Sequence, residues 1–151
     1  MRTKLGLLDQ RTRLDLAILF EEYPYVIAAY QFGSTVRGKA GPLSDLDIAL
    51  ILDESAPTGA DLAYAEGLLS YRIQRILNTQ ASEIDLMSLN GRSISFQHTV
   101  IRTGRVIYDA HPEARHCYER KITQAYLDFE PTLRWARQFQ KKGWLRRCGL
   151  Q

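Results

Sequence analysis

Three aspartates and one Gly-Ser pair are the residues in this chain whose types and spacing suit phosphate chemistry. Gly33 and Ser34 follow an apolar run from Tyr25 to Phe32. Ten residues later come Asp45 and Asp47, and Asp47 opens a second apolar run, Ile48 to Leu52. Side chains alternate faces along a strand, so Asp45 and Asp47 project the same way, while Leu46, Ile48 and Leu50 take the face that can be buried. Neighbouring carboxylates repel each other unless a cation lies between them, and a pair of oxygen-only ligands favours Mg²⁺. The Gly-Ser turn offers bare backbone N–H groups, a small hydroxyl and room for a phosphate to approach. Either feature alone is usually a solvated strand end or a plain turn. With Gly at about 7 % of residues, the joint pattern arises by chance in roughly one chain in several hundred.

Asp85 lies in a third apolar run, Glu83 to Leu89. A strand there, arriving after a helical crossover, can sit beside the Asp45–Asp47 strand and complete a carboxylate triad. Three carboxylates can hold two Mg²⁺ ions around a nucleoside triphosphate, one activating the attacking oxygen and one neutralising the leaving pyrophosphate. No nucleophile accompanies them: Ser34 is committed to phosphate, and Cys117 and Cys148 are far from the motif in sequence. The attacking oxygen must then belong to another molecule.

The elements that must position these groups read from the same sequence. Residues 7 to about 22 form an amphipathic helix with Leu7, Leu14 and Ile18 on one face, ended by Pro24. The run from Tyr25 to Phe32 is nearly all apolar, which places it inside a sheet. Pro57 and Gly59 break the chain after the second strand. A helix over about 60–78 follows, with Leu62, Ala65, Leu69, Ile73 and Ile76 as its core stripe and Asn78 as its stop. Ser93 caps a short helix ending at Gly104, and Arg105 to Tyr108 is a fourth strand. Pro112 starts a last helix to about Lys142, which Pro131 should kink or break near Phe129.

The bulk properties fit one ordinary domain: 151 residues, 45 % hydrophobic and 25 % charged. The expectation is a single unit, core about 25–110 and helical tail about 111–151. No run of some 18 apolar residues marks a membrane span, and the start of the chain has too short an apolar stretch for a signal peptide. Two cysteines without C-x-x-C spacing point away from disulfides or zinc and towards a reducing cytoplasm. Net charge is +3 but uneven: six bases and no acid follow Glu130, leaving −3 for the rest. Trp135, Phe139, Trp144 and Leu145 interleave with those bases, which favours a protein surface over direct nucleic-acid binding.

The stretch G-S-T-V-R-G-K-A-G-P-L-S-D-L-D-I-A resembles the signature of the minimal nucleotidyltransferases of the polymerase-beta-like superfamily. E-I-D-L-M-S-L-N supplies the third acid where that family has it, and V-I-R-T-G-R-V-I-Y-D resembles its late G-x-x-x-Y strand. The likeness is good over about residues 25–110. Within the superfamily the chain is most similar to the MntA-type antitoxins of HEPN–MNT toxin–antitoxin pairs. The resemblance implies an α/β polymerase-beta-like fold, a small mixed sheet with helices packed on it, a C-terminal helix, and carboxylates at one open edge. It implies that Gly33 and Ser34 hold phosphate, that Asp45 and Asp47 are shared by both metals, and that Asp85 serves the catalytic metal and is placed to take the nucleophile's proton. Arg37 matches the family arginine that pairs with triphosphate oxygens. Val36 stands where Ala is more usual.

The implied activity is Mg²⁺-dependent transfer of AMP from ATP to a tyrosine of a HEPN-family ribonuclease toxin, which silences it. Nucleotidylation of a small molecule such as an aminoglycoside competes with this, although about 40 terminal helical residues are few to close over a drug. So does a stoichiometric antitoxin that binds without chemistry.

Overall fold

The computed structural model describes residues 8–34, 36–37, 45–78 and 84–147, with side chains described as far as Gln140. Leu7, Glu83, residues 38–44 of the motif, and the side chains of Trp144, Leu145 and Cys148 lie outside the described residues.

Among the described residues, eight elements follow one another: α1 (Gln10–Glu21), β1 (Val26–Phe32), β2 (Leu46–Leu52), α2 (Gly59–Leu77), β3 (Ile84–Ser88), α3 (Ile94–Thr103), β4 (Arg105–Asp109) and α4 (Pro112–Arg147). The strands form one mixed sheet in the order β3-β2-β1-β4. β1 runs antiparallel to both β2 and β4, whereas β2 and β3 are parallel. Parallel neighbours need a crossover, and α2 supplies it. β1 is interior, as its apolar run requires.

Both faces of the sheet are covered. On one face Val26, Leu46, Ile48, Leu50, Leu52, Ile84 and Ile107 pack with Leu16, Leu19 and Phe20 of α1 and Leu69 and Ile73 of α2. On the other, Ala28, Tyr30, Ala49, Ile51 and Leu89 pack with Val100 of α3, and Phe96 and Tyr118 lie against them. Alternation puts Asp47 and Asp85 on this second face, since Leu46, Ile48, Ile84 and Leu86 take the first.

The helix ends carry the expected devices. The Asp9 carboxylate accepts from Thr12 N–H at 2.7 Å, and Ser93 Oγ accepts from Phe96 N–H at 3.3 Å. Asn78 ends α2 in the left-handed region, at φ 53°.

Three expectations fail. Leu14 and Ile18 are 63 % and 57 % exposed. The buried face of α1 is instead Leu16, Leu19 and Phe20, because Phe20 seats against Tyr108 with ring centroids 5.2 Å apart and fixes the helix's rotation. Ile76 is exposed, and Leu77 packs on the core in its place. Finally, α4 runs unbroken through Pro131. A proline denies the carbonyl four residues back its donor, but this turn faces solvent, so water can satisfy it. The Glu130–Arg134 ion pair, 2.8 Å, and the Gln124–Asp128 hydrogen bond, 3.0 Å, reinforce the flanking turns.

Candidate active site

The candidate site lies where β1 ends and β2 and β3 begin. Antiparallel pairing sets Phe32 opposite Asp47, and parallel pairing sets Asp47 opposite Asp85. Adjacent strands are about 4.8 Å apart, so these two carboxylates rise side by side from the second face. Asp45 precedes β2 and is exposed, as is Asp85, whereas Asp47 is half-buried.

Gly33 meets this cluster directly. A Cβ at that position would lie 1.9 Å from Asp47 Oδ2, and its φ of +79° disfavours any other residue. The turn therefore passes its backbone against the Asp47 carboxylate, an approach that no side chain would permit. The Gly33 carbonyl accepts from both Arg37 N–H and Arg37 Nε, each at 3.3 Å, which closes the turn and folds the guanidinium back over it. Ser34 is half-buried inside this turn and Arg37 is exposed.

The electrostatics single out Asp47. Burial pushes its carboxyl above the usual aspartate range, and the charges of Asp85 and Asp45 push the same way; Arg37 pulls it down. Among the described residues, no group of three His, Cys, Asp or Glu side chains closes tightly enough to enclose an ion. The three aspartates thus form an open, under-neutralised cluster at the end of the sheet. Its donor set is oxygen only, and its mutual repulsion is relieved by a hard cation, so these residues fit Mg²⁺ in chemical type.

A second charged group, not foreseen from the sequence, stands deeper on the same face. Tyr30 hydroxyl donates to Glu119, Arg115 bonds Glu119 at 2.7 Å, and Arg115 bonds Asp109 at 2.9 Å. Burial, then the Glu119 hydrogen bond, raise the Tyr30 hydroxyl far above its ordinary value. This group ties α4 to β1 and β4. Next to it Tyr118 hydroxyl donates to buried Gln97, which joins α4 to α3, and burial pushes that phenol up to about 12. A tyrosine in the middle of an apolar strand is the signal that could have found the first group, because a buried hydroxyl needs a partner. So is the i, i+4 pair Arg115 and Glu119.

The family model for "Polymerase beta, Nucleotidyltransferase" matches residues 15–113. The chain belongs to this nucleotidyltransferase family. The match runs from within α1 to the start of α4 and takes in the whole sheet, including both motifs. No curated protein sequence matches the chain. Solved structures do. A toxin–antitoxin structure with AMP-PNP superposes with a TM-score of 0.68 at 19 % identity, over 89 % of this chain and 99 % of that one. An MntA–HepT toxin–antitoxin structure gives 0.66 at 16 %, over 88 % and 99 %. A Shewanella oneidensis complex of tri-AMPylated HEPN toxin with MNT antitoxin gives 0.66 at 16 %, over 89 % and 99 %. At such identities the likeness is one of fold, and it extends beyond the family core to most of α4. Among the described residues no helix is long and apolar enough to cross a membrane.

Proposed function

We propose that this nucleotidyltransferase is an Mg²⁺-dependent protein adenylyltransferase that acts as an antitoxin, moving AMP from ATP onto a tyrosine of a HEPN-family ribonuclease toxin. The observation that carries the chemistry is the side-by-side placement of Asp47 and Asp85 with Gly33 pressed against Asp47. What supports the acceptor is the company the fold keeps: one solved complex pairs an MNT antitoxin with a tri-AMPylated HEPN toxin, and another is an MntA–HepT toxin–antitoxin structure.

In this reading Asp45, Asp47 and Asp85 hold the metal, up to two ions, which when bound neutralises the triphosphate and favours a deprotonated acceptor oxygen. The Gly33–Ser34 turn presents N–H groups and the Ser34 hydroxyl to the phosphates, and Arg37 at the mouth of the turn pairs with their outer oxygens. The acceptor tyrosine oxygen attacks the α-phosphorus. A new O–P bond forms, the bond from that phosphorus to the bridging oxygen breaks, and pyrophosphate departs with the bonding pair. Asp85, exposed at the edge of the cluster, takes the phenolic proton. The added anion beside an RNA groove would repel the phosphate backbone and silence the ribonuclease.

The test is to mix the purified protein with a purified HEPN-family ribonuclease, ATP and Mg²⁺, and to take intact masses. The reading expects whole AMP units on a partner tyrosine together with loss of RNA cleavage. Transfer only to an aminoglycoside would overturn it.

A further inference from the structure

The direction of α4 has a consequence for the acceptor. Asp109 pairs with Ala28 near the start of β1 and holds Arg115. Tyr30, two residues along β1, holds Glu119. Four residues of α4, about 6 Å, thus advance in step with two residues of β1, about 6.6 Å. Two more residues of β1 reach Phe32, opposite Asp47. One further turn of α4 is therefore level with the carboxylates, and the rest of the helix continues past that end of the sheet.

Packing stops at about the same place. Ile122 is buried, and Tyr126 stacks flat on His98 of α3 with centroids 3.9 Å apart. Beyond them Leu127, Phe129, Trp135 and Phe139 are all exposed, the last two by 62 % and 57 %. The 21 residues from Leu127 to Arg147 amount to about 30 Å of helix. Phe129 and Leu133 continue the 3.6-residue stripe of Tyr118 and Ile122, so the pattern that packs on α3 runs on, with Phe129 41 % exposed and Leu133 half-buried. Trp135 and Phe139 touch each other, centroids 4.3 Å apart, and form a ready aromatic ledge. The sequence after Glu130 adds six bases and no acid.

We propose that this free half of α4 is a docking arm that holds the acceptor protein, by an acidic and apolar helical face, at the carboxylate end of the sheet. The inference rests on the proposed transfer to a protein and names the surface that makes it specific. A continued helical stripe of apolar residues fits another helix, and the excess of bases after Glu130, with Arg134 already paired to Glu130, fits acids on that helix. A second copy of this chain would bring the same positive charge against it. RNA would satisfy the bases but leave Leu127, Phe129 and Leu133 without partners.

The experiment measures affinity of the chain for a HEPN-family ribonuclease by calorimetry, with the Trp135→Ala, Phe139→Ala double variant and, separately, Arg137→Glu. Each targets exposed groups on a projecting helix, so the thermal transition should stay in place. The arm predicts at least a tenfold rise in Kd for the double variant, a smaller and salt-sensitive rise for Arg137→Glu, and unchanged ATP binding in both. A Kd within twofold of wild type overturns it. So does loss of self-association, or of binding to a single-stranded RNA oligonucleotide, while partner affinity holds. If the variants weaken partner binding but wild type adds no AMP, the proposed function fails and the arm stands. If AMP is added and the variants bind as wild type does, the arm fails alone.

Discussion

Two clusters of acids share the second face of the sheet, and their difference separates chemistry from architecture. Glu119 and Asp109 close around one arginine and one hydroxyl, and Arg115 is itself mostly buried. Both acids there bond the same guanidinium, at 2.9 and 2.7 Å. Asp45, Asp47 and Asp85 stand together at the sheet's end with only Arg37, among the described residues, set against them, and the charges of Asp85 and Asp45 push the Asp47 carboxyl up. In the first cluster Arg115 bonds both acids, although Asp109 Oδ1 is buried without a hydrogen-bond partner; in the second, among the described residues, no ion pair is closed, and a hard cation would relieve the repulsion. Acids that repel one another at an open edge are the mark of a site, and acids gathered on one arginine under a helix are the mark of a joint.

The contrast predicts opposite responses to deletion. Asp47→Ala should cut nucleotide transfer by at least about a thousandfold, as loss of a group that holds the transferring phosphate's counter-charge does, while the thermal transition stays or rises because repulsion is relieved. A near wild-type rate would remove Asp47 from the site. Arg115→Ala should do the reverse. It strands Glu119 and Asp109, and breaking a mostly buried pair costs about 3 kcal/mol, so unfolding in urea should shift strongly. If its stability were unchanged, the cluster would not be the joint that it looks to be.

Gly33→Ala sharpens the comparison from the other side. The added methyl collides with Asp47 Oδ2 and forces a left-handed residue costing about 1–2 kcal/mol. Transfer should fall well beyond what that loss of stability explains. Ser34→Ala should cost less, about 1 kcal/mol of triphosphate binding for one neutral hydrogen bond, read as a several-fold rise in KM for ATP.

The smallest effect is in pH. Asp47 has its carboxyl raised in the fold, so its ionised form opposes folding above that raised value and has no effect once pH falls below about 3.9, the ordinary aspartate pKa. Asp47→Asn should therefore gain stability at neutral pH, and the gain should shrink as pH falls through the window just above 3.9. Added Mg²⁺ should stabilise wild type and not the variant. A gain independent of pH would mean that shape, not charge, is at issue.

Much of this was legible in the sequence because local chemistry fixes it. The β2–α2–β3 crossover follows from two apolar runs around a helical stripe, and Ser93 and Asn78 announce helix ends. What escaped depends on long-range packing. The stripe Leu14–Ile18 and the set Leu16, Leu19 and Phe20 are both plausible faces for α1, and only the seat of Phe20 on Tyr108 chooses between them. Pro131 breaks a helix that needs every bond, but here solvent stands in for one. The Tyr30–Glu119 contact joins positions 89 residues apart, and no spacing rule reaches that far.

The central claim is that the open carboxylate cluster performs the silencing chemistry. Its most direct test compares wild type with the Asp45→Ala, Asp47→Ala double variant by intact mass of the HEPN-family partner after incubation with ATP and Mg²⁺, alongside its RNA cleavage. The account predicts AMP-sized mass gains and lost cleavage with wild type, and neither with the double variant. Full silencing by the double variant with no change in mass would contradict it and leave an antitoxin that works by binding alone.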